Sequence, residues 1–100
     1  MRIIAGEHRG RKLVPPEGTR TTRPITDKVK ETLFNKLFSV SVLPGEPGAA
    51  VADVFCGTGS LGLEALSRGA GHCLFVEQSR SALRGLRENL AALELTEQAQ

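Results

Sequence analysis

The chain has 100 residues, of which 40% are hydrophobic, and its four aromatic residues are all Phe. That length suits one small domain, and no run of ~18 apolar residues is present to form a transmembrane helix. Cys56 and Cys73 lack CxxC or His-rich spacing, so they fit reduced thiols rather than a disulfide or zinc framework, and no metal is expected. The apolar start, Met1 to Gly6, is too short for a signal peptide, so a cytoplasmic, membrane-free protein is expected.

The net charge of +2 hides an asymmetry. Residues 1–30 hold eight Lys or Arg against Glu7, Glu17 and Asp27, a net +5, while the remainder carries −3. Charge separated in this way suggests a front end facing a polyanion on a neutral or acidic body, or else a solvated basic hairpin.

In chain order, Arg2 to Ala5 and Arg11 to Val14 flank a glycine-bounded loop, the pattern of a β-hairpin. Pro15-Pro16-Glu17-Gly18 breaks the chain, and Thr19 to Pro24 reads as an extended linker. A helix is predicted to start near Thr26 as N-cap, with Asp27 in its first turn. Val29, Leu33, Phe34, Leu37 and Phe38 form its predicted apolar stripe. Pro44 to Gly48 is the clearest boundary. After it the pattern is β-α-β-α: a strand over 49–55, a helix over 60–68 ending at Gly69, a strand over 72–77, and a helix over 79–93. Leu83, Leu86, Leu90 and Leu93 share one side of that last helix, with Arg80, Arg84 and Arg87 mostly elsewhere. Two parallel strands and two helices make a poor core, so the chain reads as the N-terminal half of something about twice as long.

Gly57-Thr58-Gly59-Ser60-Leu61-Gly62 is a Gly-x-Gly-x-x-Gly turn between strand and helix. Such a turn brings backbone amides and a helix N-terminus to a nucleotide-like ligand. Glu77 lies 18 residues beyond Gly59, close to the ~20 expected of an acid that binds ribose hydroxyls. It could instead serve only as an acid at a helix start. Asp53 is a carboxylate inside an apolar strand and needs a partner. Beside the turn it would repel a pyrophosphate but favour the ammonium and sulfonium of S-adenosylmethionine. It could also organise the turn by accepting from loop amides. A methyl-transfer cofactor therefore ranks above NAD(P) chemistry, with an NAD(P)-binding oxidoreductase as the alternative. Cys56 has no base partner in sequence and reads as a small residue near the ligand.

Taken together, several segments resemble the bacterial RsmD-like methyltransferases, which modify the exocyclic N2 of a guanine in 16S ribosomal RNA. They are Met1 to Gly6, Arg9-Gly10-Arg11-Lys12-Leu13, Arg23 to Asn35, Asp53 to Gly59, and Leu61 to Ala70. The resemblance implies an α/β fold: a Rossmann-like class I AdoMet-dependent methyltransferase domain, preceded by an N-terminal β-hairpin and helix. Residues 1–22 would be the RNA-contacting hairpin and linker, and 23–100 the first β-α-β-α units. Asp53 and Cys56, Gly57, Thr58 and Gly59 would line the methionine end of the cofactor, with Phe55 and Leu61 beside them, and Glu77 would hold the ribose. Arg9, Arg11 and Lys12 would contact RNA phosphates, while Arg23, Thr26 and Lys28 would border the active site. Ile25 and Lys28 stand where the family has Thr and Arg, and Cys56 and Thr58 replace a commoner Ala and Ser.

The implied partner is 16S rRNA or a small-subunit ribosomal particle, bound by a monomer. The family's amine-gripping tetrapeptide, Asn or Asp followed by Pro-Pro-Tyr or Pro-Pro-Phe, belongs beyond residue 100. No catalytic residue is therefore assigned, and the chain alone is expected to be inactive. A non-catalytic, truncated RNA-binding fragment is the remaining alternative.

Overall fold

A computed structural model describes residues 1–14, 26–39 and 50–100. The expected Pro15–Gly18 break, the linker including Arg23, and the Pro44–Gly48 boundary lie outside those residues. The elements run α1 (Asp27–Ser39), β1 (Ala50–Val54), α2 (Ser60–Ser67), β2 (His72–Val76), α3 (Arg80–Ala92) and a 3-10 turn, Thr96–Gln98.

Strands β1 and β2 pair in parallel, Ala50 against His72 through Val54 against Val76. The expected α/β pattern is thus present, with every boundary within one residue or so of expectation. Residues beyond α3 return alongside β2: Gln100 donates to the Cys73 carbonyl and accepts from the Phe75 amide, and Cys73 bridges Ala99 in parallel.

Alternation along the strands sorts their side chains between two faces. Cys73 and Phe75 are buried beneath α2 and α3 with Leu63, Leu66, Leu86, Leu90 and Leu93. Ala52, Val54, Leu74 and Val76 point to the opposite face and are exposed. One side of a parallel sheet, normally covered on both, is therefore bare among the described residues.

Local chemistry explains the helix ends. Thr26 caps α1 as expected, its hydroxyl accepting from the Val29 amide at 3.2 Å. Ser79 caps α3 in the same way through the Ala82 amide. Helix α2 stops in a Schellman motif, with Gly69 at φ +118 and the Ala70 amide on the Ala65 carbonyl.

Two expectations are met in part. The N-terminal arms approach antiparallel but form one isolated bridge, Arg2 to Lys12, with no named strand. The Ile3 and Leu13 amides donate across to the Arg11 and Met1 carbonyls and the Gly10 amide to the Ile3 carbonyl, while those of Ile4 and Ala5 bond to an α2 side chain, as described below. The apolar stripe on α1 is also displaced. Val29 and Leu33 are exposed, whereas Lys30 and Phe34 are buried and Leu37 packs against the core. The helix turns this way because Lys30 has a buried carboxylate to meet.

Candidate cofactor site

The turn after β1 is held from several sides. The Cys56 amide donates to the Val76 carbonyl at 3.0 Å, which carries the strand register one residue into the loop. Register therefore brings Glu77, the residue after β2, against the turn. Its Oε1 accepts the Gly57 amide at 2.9 Å, and its Oε2 accepts the amides of Gln78 and Ser79. These amides, Ser79 first and then Gly57, hold the Glu77 carboxyl below the usual range against a smaller effect of burial. Glu77 is thus an anion at neutral pH. A carboxylate has about four acceptor sites, so after three amides Oε1 keeps a lone pair for an outside hydroxyl.

Asp53 lies one strand position away from the bare face. Its Oδ2 accepts the Gly62 amide at 2.9 Å, joining β1 to the first turn of α2. The reading of Asp53 as an organiser of the turn is realised in that bond. Its Oδ1 has no partner among the described residues. Burial pushes the Asp53 carboxyl above its usual value; the Gly62 bond opposes this and the charge of Glu77 adds to it. Asp53 also lines a cavity of ≈ 300 Å³ with Leu33, Phe34, Leu37, Leu61 and Ala65.

Between the two acids, Gly57 sits at φ +58 with nothing within 4 Å of the place a Cβ would occupy. The backbone is left open there, as a ligand's close approach requires. Gly59, at φ +89, is buried at the N-cap of α2. Phe55, at φ +60, is 86% exposed. Thr58 is buried, and its Oγ1 is a buried side-chain oxygen without a hydrogen-bond partner. Its carbonyl receives Asn89 Nδ2 at 3.1 Å. Among the residues expected at the cofactor, Asp53, Gly57 and Glu77 are therefore brought together, Leu61 borders the Asp53 cavity, and Thr58 supports the turn from below.

Cys56 is half-buried, and burial foremost, with the nearby Asp53 and Glu77, pushes its thiol up to about 11. Burial pushes Cys73 up to about 12. Neither is an activated nucleophile. At pH 8 the thiolate fraction of Cys56 should be about 100-fold below that of a thiol at 9.0, so its alkylation by iodoacetamide should be slower by about that factor. Alkylation of Cys56 at the rate of a free peptide thiol, followed by mass spectrometry, would contradict this.

The front-end residues expected to meet RNA divide. Arg9 and Lys12 are exposed, Arg9 at the rim of a polar cleft with Arg2, Asp27, Glu31, Asn35 and Arg68. Arg11 donates through Nη2 to the Ala92 carbonyl at 2.8 Å, serving the C-terminal end of α3. Lys28 is exposed, Thr26 uses its hydroxyl as a helix cap, and Arg23 lies outside the described residues.

The sequence reading overlooked the polar groups that hold the front end to the turn. Glu64 is wholly buried; its Oε1 accepts the Ile4 amide and its Oε2 accepts the Ala5 amide and Arg68 Nε. Lys30 Nζ stands 3.5 Å from Glu64 Oε1 and donates to the Arg2 carbonyl and to Ser60 Oγ. Burial lowers the Lys30 pKa below 10.5 despite the attraction of Glu64. Asn89 clasps the amide and carbonyl of Val14 while holding Thr58. A signal was present for each: Glu64 interrupts an apolar helix, and Lys30 shares a helical side with Phe34 and Leu37.

A glycine turn at the carboxyl ends of two parallel strands, with an acid following the second strand and helices after each, places the chain in the α/β class. The chain belongs to the family described as Conserved hypothetical protein 95, whose profile matches residues 1–100. Ribosomal RNA small subunit methyltransferase D of Escherichia coli is 47% identical over 93 residues, covering 93% of this chain and 44% of that protein. Its Haemophilus influenzae counterpart is 45% identical over 101 residues, covering 100% of this chain and 49% of that protein. The solved Escherichia coli structure described as "Putative methyltransferase yhhF" superposes with a TM-score of 0.80 at 43% identity, over 100% of this chain and 50% of that one. The chain spans about half the length of the curated relatives it matches. The RsmD-like resemblance is therefore upheld.

Proposed function

We propose that this chain forms the cofactor-binding half of an S-adenosylmethionine-dependent methyltransferase acting on guanine N2 in small-subunit ribosomal RNA. The observation that carries the reading is the acid-bracketed turn: Glu77 Oε1 on the Gly57 amide, and Asp53 one strand away. Glu77 would accept from the donor's ribose through the remaining lone pair on Oε1. Gly57 would let the donor approach the backbone, and the Asp53 carboxylate would favour its positive end. Related proteins named as ribosomal RNA methyltransferases support the substrate class. In this reading residues 1–22 form the RNA-facing front end and 23–100 the first part of the cofactor domain.

When bound, the donor supplies a methyl group made electrophilic by the positive sulfur. The guanine amine would take that methyl as the sulfur–carbon bond breaks, with the electron pair going to sulfur and one amine proton to solvent. This chain's contribution is to hold and orient the donor, and the rate advantage would come from that positioning. The residues that orient the guanine are expected in the remainder of a protein of the relatives' length. The bare sheet face offers such a remainder a surface to cover.

Calorimetric titration tests the reading. S-adenosylmethionine should bind and NADH should not, and Glu77→Gln should weaken the donor about 10- to 100-fold, the worth of one charged hydrogen bond. Binding of NADH alone would favour an oxidoreductase instead.

A further inference from the structure

The side of α3 away from the core carries Arg80, Arg84 and Arg87, spaced i, i+4 and i+7 so that they fall in one row. All three are exposed, and with Leu83 they line one shallow groove. Leu86, Leu90 and Leu93 account for the helix's packing, so the fold has no use for this row. None of the three makes an ion pair among the described residues, and Glu88, four residues after Arg84, does not neutralise it. By contrast, Arg2 pairs with Asp27, Arg11 serves the Ala92 carbonyl, and Arg68 pairs with Glu64.

The row works against its own helix. Like charges a turn apart repel, and Arg80 stands in the first turn, where the helix dipole favours an acid. Residues 31–100 carry a net −3, yet three of their five cations are gathered here. A ligand that supplies several negative charges in a line would remove the repulsion.

We propose that Arg80, Arg84 and Arg87 form a second RNA-contacting surface, which takes consecutive phosphodiesters of the substrate backbone. The inference rests on the RNA-methyltransferase reading and deepens it. Seven residues at 1.5 Å per residue span about 10 Å, the length of about three phosphates of one duplex strand. Guanidinium suits phosphate, which it can grip through two parallel hydrogen bonds. The row also lies on a sensible route. It begins three residues after Glu77, at the cofactor turn, and runs toward the end of α3, where Arg11 of the front end reaches Ala92. RNA lying along it would lead to the place where the methyl group is held, on the flank of α3 opposite the one that meets Val14 of the front end at Gly85 and Asn89.

The test is fluorescence anisotropy of the full chain with a labelled RNA stem-loop across a salt series. The single variants R80Q, R84Q and R87Q should each flatten the slope of log affinity against log salt by about 0.7–0.9, and the triple variant by about 2–3. Between 50 and 200 mM salt, the triple variant's affinity should therefore fall roughly 20- to 40-fold less than the unmodified chain's. Replacement of all three by Lys should keep the slope. If the unmodified chain binds RNA and the Gln variants match it in affinity and slope, the row is no RNA surface, and an acidic protein face becomes its partner; the methyltransferase reading survives. If the unmodified chain binds no RNA at any salt, the row is likewise no RNA surface, and the donor titration alone decides the methyltransferase reading.

Discussion

Glu64→Ala is expected to cost about 3–5 kcal/mol, the range for removing one member of a buried ion pair. Glu64 is wholly buried and serves two cations and two backbone amides at once. Without it, Lys30 keeps only the Arg2 carbonyl and Ser60 Oγ, and the Ile4 and Ala5 amides lose their acceptor. A domain of this size has about 5–15 kcal/mol in total, so the variant should be close to unfolding. Urea denaturation followed by circular dichroism measures the loss, and a cost under about 1 kcal/mol would show that the cluster is inessential.

The pH dependence of that loss identifies its cause. The Lys30 pKa is lowered on folding, so between the native value and 10.5 the unfolded chain binds more protons. Stability from this group therefore rises with pH through that window. Removing Glu64 takes away the main attraction that offsets burial, which deepens the charge penalty at neutral pH. The deficit of Glu64→Ala relative to the unmodified chain should accordingly narrow from neutral pH toward pH 10.

Gly6→Ala should be nearly as damaging, at about 3–4 kcal/mol. Gly6 has φ +89, and a Cβ there would land on the Ser67 carbonyl at the end of α2. Because the obstacle is backbone, no rotamer change relieves it. The positive φ alone costs a side chain about 1–2 kcal/mol. Lifting the front end away would also weaken Glu7 N to Ser67 O, His8 N to Ser67 Oγ and Ser67 Oγ to Ala5 O, together about 2 kcal/mol. Gly10→Ala is the control, since Gly10 has φ +84 but open space around it. It should lose only the conformational part. Thermal melts that place both variants within a degree or two of each other would rule out the clash; a difference of 2 kcal/mol corresponds to about 8–16 °C.

These two sites show why the front end is more than an appendage. Ile3 and Leu13 enter the same core as Leu63 and Leu66. The polar contacts of Glu64, Ser67 and Asn89 then fix its backbone to α2, α3 and Thr58. The front end is thereby tied through Asn89 to Thr58 of the glycine turn.

Much of this was legible from residue order, because it depends on local periodicity and on special residues. Alternation and helical spacing marked β1, β2, α2 and α3; Thr26 and Gly69 marked helix ends; and glycines followed by Glu77 marked the turn between β1 and α2. Such signals act over a few residues, or through one strand register, and need no knowledge of distant packing.

What residue order left undecided turned on contacts between segments far apart. Leu33 is apolar and Lys30 charged, so periodicity alone assigns them to the wrong sides of α1. The outcome is reversed because a buried carboxylate 34 residues away outweighs the burial of one leucine. The two arms of the front end, patterned as strands, keep the ladder bonds of Ile3 and Leu13, and side chains of α2 and α3 take up the Ile4, Ala5 and Val14 amides. Local pattern determined which elements form and where the glycine turn lies. Long-range polar satisfaction, which only the assembled chain reveals, decided which faces those elements bury.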